Sequence, residues 1–234
     1  MAEIKIARFV DIQACKSIFS EHSTFVLRSP IYYQRLYETS YGEDTKGDNK
    51  EGRPETANGT AEFTRWLVSC WTILKESEPS FEEWDIFKKN NQNVVAIIST
   101  PKKVCEFLEK SLKIGHNNRL PFYSVDCHEV EYDKKKVHID HTNIIEAVPF
   151  VKDKRFIDEN EYRFVLKYGI QTYIDSFIFC GGIDYMEKCL INPNNEKETM
   201  AKLLSIISNA TAGYFDFCNN RKIIANYKIL LEKL

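Results

Sequence analysis

Residues 156–167 have the sequence FIDENEYRFVLK, and their pattern predicts a β-strand. Apolar and polar side chains alternate through the second half of the segment, and this period of two is typical of a strand with one buried and one more polar face. On such a strand Glu159, Glu161 and Arg163 would project from the same face. Because two carboxylates and a guanidinium are costly to bury without partners, we expect them to line a cleft, to form ion pairs, or both.

Other segments are also predicted to be strands, among them residues 122–132. Residues 63–74 are almost continuously apolar and residues 94–98 form a shorter apolar run, as in strands that are buried on both faces. Residues 3–10 and 23–29 have weaker strand patterns. Strands and helices follow one another in mixed order, which predicts an α+β fold. We expect a single domain over residues 1–234, with a central mixed or antiparallel sheet flanked by helices.

Three helix starts are visible in the sequence. Asp11 is a plausible N-cap for a short first helix. Ser80 is followed three residues later by Glu83, the spacing of a capping box. Thr100 precedes Pro101, and proline is favoured in the first turn of a helix. Each of these residues has a purely structural explanation in this position.

Residues 40–60 are rich in Gly, Asp, Asn and Glu and contain few apolar side chains. Such a composition predicts a mobile surface loop inside the domain. Long loops of this kind often serve as lids or binding loops, and disorder without a function is the alternative.

Composition excludes some classes of protein. The chain has 234 residues and a formal net charge of −2, so it has no general electrostatic attraction to nucleic acid or to acidic membranes. Its 7 cysteines form no CxxC pair, which favours reduced thiols. The N-terminus is charged and no apolar run is long enough to cross a membrane. We therefore expect a cytoplasmic protein that does not bind membranes.

A metal site is a weaker interpretation. His138, Asp140 and His141 could ligate a metal ion, but only the first two would share a strand face, and no third ligand is identifiable. We therefore predict no metal. An alternative function is a phosphodiester-cleaving toxin that uses His138, Asp140 and Glu161 as its acids and bases.

Several segments resemble a widespread bacterial family of uncharacterised proteins. The resemblance lies in a cysteine–tryptophan strand, a tryptophan helix and an E-x-E-x-R strand, which occur in the same order in that family. Here these are SCWT at 69–72, EEWDIFKKNNQNVVAI at 82–97 and ENEYRF at 159–164, followed by SFIFCGG at 176–182. The similarity covers roughly residues 23–208. It departs from the family in the first loop, where many members have an Asn-Asp-Pro turn.

The chain is also similar to mono-ADP-ribosyltransferases of the Arg–Ser–Glu class. In that class an arginine ends an early strand, a Ser-Thr pair ends a middle strand, and an E-x-E motif stands on a later strand. Arg28, Ser99, Thr100, Glu159 and Glu161 occupy these places in the right order. The resemblance implies an ADP-ribosyltransferase-like fold and NAD as a substrate.

The resemblance also implies a role for each residue. Arg28 would pair with the NAD pyrophosphate and Ser99, with Thr100 beside it, would orient the nicotinamide ribose. Glu161 would stabilise the oxocarbenium-like transition state, and Glu159 would position or deprotonate the acceptor. These assignments make Glu161, Glu159 and Arg28 the catalytic residues. They imply that Glu161→Gln lowers the rate and changes stability little.

Two aromatic residues, Tyr32 and Trp84, are also predicted to contact NAD. Trp84 shares a helix face with Phe81 and Phe87, a stripe that is more often part of a core than a ligand platform. We expect a toxin or phage-defence effector whose acceptor is a protein or a nucleic acid and which has an antitoxin or another defence-system partner. The alternative is a non-catalytic binding or sensing module of a defence system.

Overall fold

The computed structural model describes residues 3–19, 24–30, 32, 55–56, 59–60, 66–87, 94–117, 122–132, 148–152, 154–168, 176–180 and 183–215. Their strands are β1 (Ile6–Asp11), β2 (Thr24–Arg28), β3 (Glu55–Thr56), β4 (Gly59–Thr60), β5 (Trp66–Ile73), β6 (Val94–Ser99), β7 (Phe122–Glu129), β8 (Glu131–Tyr132), β9 (Val151–Lys152), β10 (Glu161–Tyr168), β11 (Ser176–Cys180) and β12 (Lys188–Ile191). Their helices are α1 (Ile12–Ile18), α2 (Phe81–Phe87), α3 (Pro101–Asn117) and α4 (Glu196–Phe215), with short 3-10 helices at Val148–Phe150, Lys154–Glu159 and Pro193–Asn195.

The α+β class predicted from the sequence is confirmed. Helices accompany strands that pair mostly in antiparallel fashion, and β8 with β9 is a short parallel pair. The chain divides into two compact units. Unit 1 consists of Met1–Phe25, Ile73–Phe107 and Ile178–Leu234, and unit 2 consists of Val26–Thr72 and Leu108–Phe177. The two units do not decide whether residues 1–234 form one domain, and the single domain stays a prediction.

Unit 1 is built on β6, which pairs with β1 on one edge and with β12 on the other, both antiparallel. Every residue of β6 is buried, as the continuous apolar run in the sequence predicts. One face carries a core cluster that includes Ala7, Trp84, Ala96 and Ile98. This packing holds α2 against the sheet of unit 1.

The contact between α2 and β1 is aromatic. Phe9 stacks on Phe87 with 4.4 Å between ring centroids and meets the edge of Trp84 at 5.3 Å. Phe81, in contrast, is 64% exposed. Phe81 is the first residue of this two-turn helix. It lies beyond the contact that Phe9 makes with Trp84 and Phe87, so its side chain remains in water. In the aromatic stripe predicted for this helix, Trp84 therefore belongs to the core, Phe87 is half-buried against Phe9, and Phe81 lies at the surface.

The three predicted helix starts are confirmed. The Asp11 carboxylate accepts a hydrogen bond from the amide of Gln13 at 2.7 Å. The Thr100 hydroxyl accepts from the amide of Lys103 at 3.3 Å. At α2 the capping box is reciprocal, since Ser80 Oγ accepts from the amide of Glu83 at 3.2 Å and Glu83 Oε2 accepts from the amide of Ser80 at 2.7 Å.

Removing the Ser80 hydroxyl should destabilise the protein. Ser80→Ala leaves the amide of Glu83 without its capping acceptor, and such losses cost about 0.5–2 kcal/mol. Urea unfolding followed by circular dichroism measures this difference. Ser77→Ala, an exposed position in the same connecting segment, is the matched control and should change the free energy of unfolding little. Equal stabilities of the two variants would contradict the assignment of the cap.

Unit 2 contains a four-stranded antiparallel sheet in the order β2, β5, β10, β7. The register aligns Glu161 with Thr72 and Val165 with Val68 across β5 and β10. Strands β5 and β10 match the segments predicted at 63–74 and 161–167, apart from their ends. One face of this sheet packs a cluster of Trp66, Val68, Cys70, Phe150 and Val165. On the other face Trp71 meets the edge of Phe164, with 6.1 Å between ring centroids.

The predicted loop at 40–60 lies largely outside the described residues. The part that is described forms the short antiparallel pair of β3 and β4, in which Glu55 aligns with Thr60 and Thr56 with Gly59. The loop prediction otherwise stays a prediction.

Candidate functional site

The two glutamates of the E-x-E motif belong to different backbone elements. Glu161 is the first residue of β10, whereas Glu159 is the last residue of a 3-10 helix. Asn160 between them has a φ of 44°, in the left-handed region that asparagine tolerates better than most residues. The prediction that Glu159 and Glu161 follow one another on a strand is therefore wrong, because this residue turns the chain before the strand begins.

Lys152 brings the two carboxylates together. Its Nζ lies 2.7 Å from Glu159 Oε2 and 2.5 Å from Glu161 Oε1. The lysine belongs to β9, which pairs with β8 so that Lys152 aligns with Tyr132. Sequence reasoning missed this residue, because it lies nine positions before Glu161 and belongs to no periodic pattern.

Arg163 completes the cluster from within the sheet. Its side chain is 1% exposed, and its Nε donates to Glu161 Oε2 at 2.6 Å while Nη1 donates to the carbonyl of Pro149 at 2.8 Å. The ion pair between Glu161 and Arg163, expected from their spacing on one strand face, is confirmed. The backbone amide of Glu161 donates to the Tyr132 hydroxyl at 2.8 Å. Glu161 is thus held by its backbone and by both carboxylate oxygens.

The environment separates the pKa values of the two carboxyl groups. Burial acts to raise the pKa of Glu161, but Arg163 and Lys152 outweigh it and hold that pKa well below its usual range. Burial also acts on Glu159, and together with a hydrogen bond to Glu161 it raises the pKa of Glu159 to about 7. At neutral pH Glu161 is therefore ionised and Glu159 exchanges a proton. Two adjacent carboxyl groups with separated pKa values form a common arrangement for acid–base chemistry.

Burial also affects Tyr132, the phenol that receives the amide of Glu161. Burial first, and the negative charge of Glu161 second, raise its pKa well above the usual range. The phenol therefore remains protonated at neutral pH and contributes to the cluster as a neutral hydrogen-bonding group.

Arg28 lies on the same face of the unit 2 sheet as Glu161. Arg28 aligns with Val68 of β5 and Glu161 aligns with Thr72 of that strand. Aligned residues share a face, and positions four apart on one strand also share a face. Two strand spacings and four residues of strand length place the Cα atoms of Arg28 and Glu161 about 16 Å apart. The Arg28 guanidinium lies over the ring of Tyr32, 4.5 Å from its centroid.

Ser99, Thr100 and Trp84, which the sequence also assigns to NAD, are buried in this structure. Ser99 and Thr100 are both 0% exposed. The Ser99 hydroxyl donates to the carbonyl of Tyr185, and the Thr100 hydroxyl caps α3. Trp84 is 3% exposed and belongs to the core of unit 1. Packing and hydrogen bonding inside unit 1 thus give each of these three residues a structural role, and their contact with the cofactor stays a prediction.

The metal interpretation lies outside the described residues, since His138, Asp140 and His141 belong to the range 133–147. In the part of the chain that the structure describes, no group of three or more His, Cys, Asp or Glu side chains could hold a metal ion.

Comparisons with known proteins give no family. No family model matches the chain, and neither a curated protein nor a solved structure shows significant similarity to it. The two resemblances seen in the sequence therefore stay predictions. Among the helices described here, none is both long and apolar enough to cross a membrane.

Proposed function

We propose that the chain is an NAD-dependent ADP-ribosyltransferase that acts as a bacterial toxin or phage-defence effector. The observation that supports this proposal is the placement of Arg28 and Glu161 on one face of the unit 2 sheet, two strands apart. An arginine and a fixed carboxylate at this separation suit the two ends of an extended dinucleotide, whose pyrophosphate is anionic and whose ribose becomes cationic during the reaction.

The reaction would divide between three side chains. Arg28 pairs with the pyrophosphate of NAD as a planar and permanently charged donor. The bond between the ribose C1′ and nicotinamide breaks, and nicotinamide leaves with the bonding electrons. Glu161 stabilises the positive charge that develops on the ribose. The acceptor then forms the new bond to C1′ and gives its proton to Glu159, whose pKa of about 7 suits a proton acceptor near neutral pH.

The test is incubation of the purified protein with labelled NAD and a bacterial lysate, followed by separation of labelled protein from labelled nucleic acid. Transfer to either fraction supports the proposal and identifies the class of acceptor. Free labelled ADP-ribose without an acceptor would show cleavage of NAD alone. No release of nicotinamide under any condition would contradict the proposal.

Arg28→Ala should weaken NAD binding more than it slows the chemical step. The contact with the pyrophosphate is made in the ground state and the transition state alike, so its loss raises KM with a smaller effect on kcat. Losing a hydrogen-bonded charge of this kind costs about 1.5–3 kcal/mol, or roughly 10-fold to 150-fold in KM. Steady-state release of nicotinamide measures both constants.

Arg8→Ala is a matched control for Arg28→Ala. The Arg8 guanidinium also lies over an aromatic ring, that of Phe25, at 5.4 Å from its centroid, but the residue belongs to β1 of unit 1. Arg8→Ala should leave KM for NAD within about twofold, a change of under roughly 0.5 kcal/mol. An equal rise of KM in both variants would show that Arg28 has no specific role in binding NAD.

A second candidate is a non-catalytic binding module of a defence system. It is favoured by the enclosure of Glu161, which is 4% exposed and whose two oxygens bond Lys152 and Arg163. Under this candidate the labelled-NAD experiment gives no product, and the acidic cluster maintains a surface that a partner protein contacts. Glu161→Gln would then weaken formation of the complex, as a pull-down with the partner measures.

A further inference from the structure

One ammonium group contacts both carboxylates of the candidate site. Lys152 Nζ lies 2.7 Å from Glu159 and 2.5 Å from Glu161, and the lysine side chain is only 9% exposed. The two carboxyl groups therefore lie side by side around one nitrogen atom, and the raised pKa of Glu159, about 7, gives the pair one exchangeable proton near neutral pH. This places a lysine, two carboxyl groups and one exchangeable proton in one small cluster.

We propose that Lys152 is the positioning residue of this site, because its single ammonium group holds Glu159 and Glu161 side by side and leaves Glu159 as the carboxyl group that takes up the proton. For the role of Glu159 in catalysis this inference rests on the proposed transferase activity. For the protonation of the pair it rests on the geometry of unit 2 alone.

The backbone and a neighbouring ring fix Lys152 in place. The residue belongs to β9, whose parallel pairing with β8 aligns it with Tyr132. Its Nζ lies 4.6 Å from the centroid of the Phe156 ring, and the Arg155 guanidinium lies at the same distance from that centroid. The strand pairing and the ring contact thus place the ammonium group beside the two carboxylates.

The two carboxyl groups differ in their surroundings. Arg163 contacts Glu161 directly at 2.6 Å, whereas the structure places Glu159 against the shared lysine. The Glu159 side chain is 24% exposed and that of Glu161 is 5% exposed. Glu161 therefore keeps its charge between two cations, and Glu159 is the more exposed member of the pair. Among the described residues, the charged and titratable groups that contact the pair or align with its strand are Tyr132 from β8, Lys152 from β9, Arg163 from β10 and His128 of β7, which aligns with Arg163.

Removing the ammonium charge should make Glu159 hold its proton more tightly. Lys152 lies within 3 Å of both carboxylates and favours their ionised forms. In Lys152→Met the titration midpoint of Glu159 should rise by about one pH unit or more, the effect of losing a close opposite charge. Lys152→Arg keeps the charge and should shift the midpoint by less than half of the change in Lys152→Met.

The experiment is a carbon-detected NMR titration of glutamate side chains in the whole protein. The wild type should show one carboxyl group with a midpoint near neutral pH, and Glu159→Gln should remove it. Glu159→Gln retains Lys152, Glu161 and Arg163, so the measurement stays decisive if Lys152→Met fails to fold. A near-neutral midpoint that survives Glu159→Gln would overturn the proposal. So would a folded Lys152→Met with an unchanged midpoint.

Activity provides a separate readout. If the protein cleaves NAD, the acidic limb of the pH–rate profile should move to higher pH in Lys152→Met and largely return in Lys152→Arg. A lysine that only stabilised the fold would lower the amount of active protein without moving this limb, and that result would overturn the positioning role. Failure of the transferase proposal appears instead as absence of NAD cleavage in the wild type, and the titration then still decides the protonation of the pair.

Discussion

Glu161→Gln should lower the rate of NAD cleavage by about 10²–10³, the usual effect of removing one group that stabilises transition-state charge. The glutamine is similar in shape but carries no charge to offset the cationic ribose. The rate constant is measured in single-turnover experiments with excess protein, so that NAD binding and the chemical step are separated.

The same variant should also be destabilised by about 3–5 kcal/mol, because the buried Arg163 loses its carboxylate partner and Lys152 keeps only Glu159. The expectation from sequence, that Glu161→Gln changes stability little, does not fit the enclosure of Glu161 by Lys152 and Arg163. Activity must therefore be measured well below the melting temperature, with folding confirmed by circular dichroism. Glu129→Gln, an exposed position on β7, is the control for both quantities. A folded Glu161→Gln protein with the wild-type rate would rule out the catalytic role.

Arg163→Ala should destabilise the protein strongly. The guanidinium is fully buried and donates to Glu161 and to the carbonyl of Pro149, so its loss leaves a buried charge and a buried carbonyl less satisfied. Breaking a buried ion pair costs about 3–5 kcal/mol. In a chain of this length that corresponds to a fall in Tm of about 6–20 °C.

Thermal unfolding followed by circular dichroism measures the effect. Arg155→Ala is the matched control, because Arg155 is exposed and its loss should lower Tm by only a few degrees. Arg163→Lys retains the charge but not the fork that reaches both acceptors, so it should recover only part of the stability. Similar Tm values for Arg163→Ala and Arg155→Ala would mean that the buried ion pair contributes nothing to stability.

The sequence predicted features that depend on neighbouring residues. The capping box of Ser80 and Glu83 is local, since both partners lie within one turn. Strand β6 was visible because its residues are apolar without interruption. The contact between Glu161 and Arg163 followed from the two-residue period of a strand.

The sequence does not predict features that depend on a rare backbone conformation or on contacts between segments that lie apart in the chain. The left-handed conformation of Asn160 removes Glu159 from the strand, and no period in the sequence reports a single residue with positive φ. Lys152 joins the site through the pairing of β9 with β8, whose short strands have no pattern of their own. The burial of Trp84 and Ser99 is likewise not predictable from residue type, which does not show whether a side chain faces a core or a cleft.

The enclosure of Glu161 has a consequence for the dynamics of the site. Two contacts enclose it. Lys152 binds Glu161 from nine positions earlier in the chain, and the carbonyl of Pro149 binds Arg163 from 14 positions earlier. The ladder between β5 and β10 instead joins distant parts of the chain. Closing a short loop costs little entropy, so the cluster can open and reclose as a local fluctuation while the ladder remains paired. If only the open form exposes Glu161 to NAD, the apparent affinity for NAD is reduced by the fraction of molecules that are open at any moment.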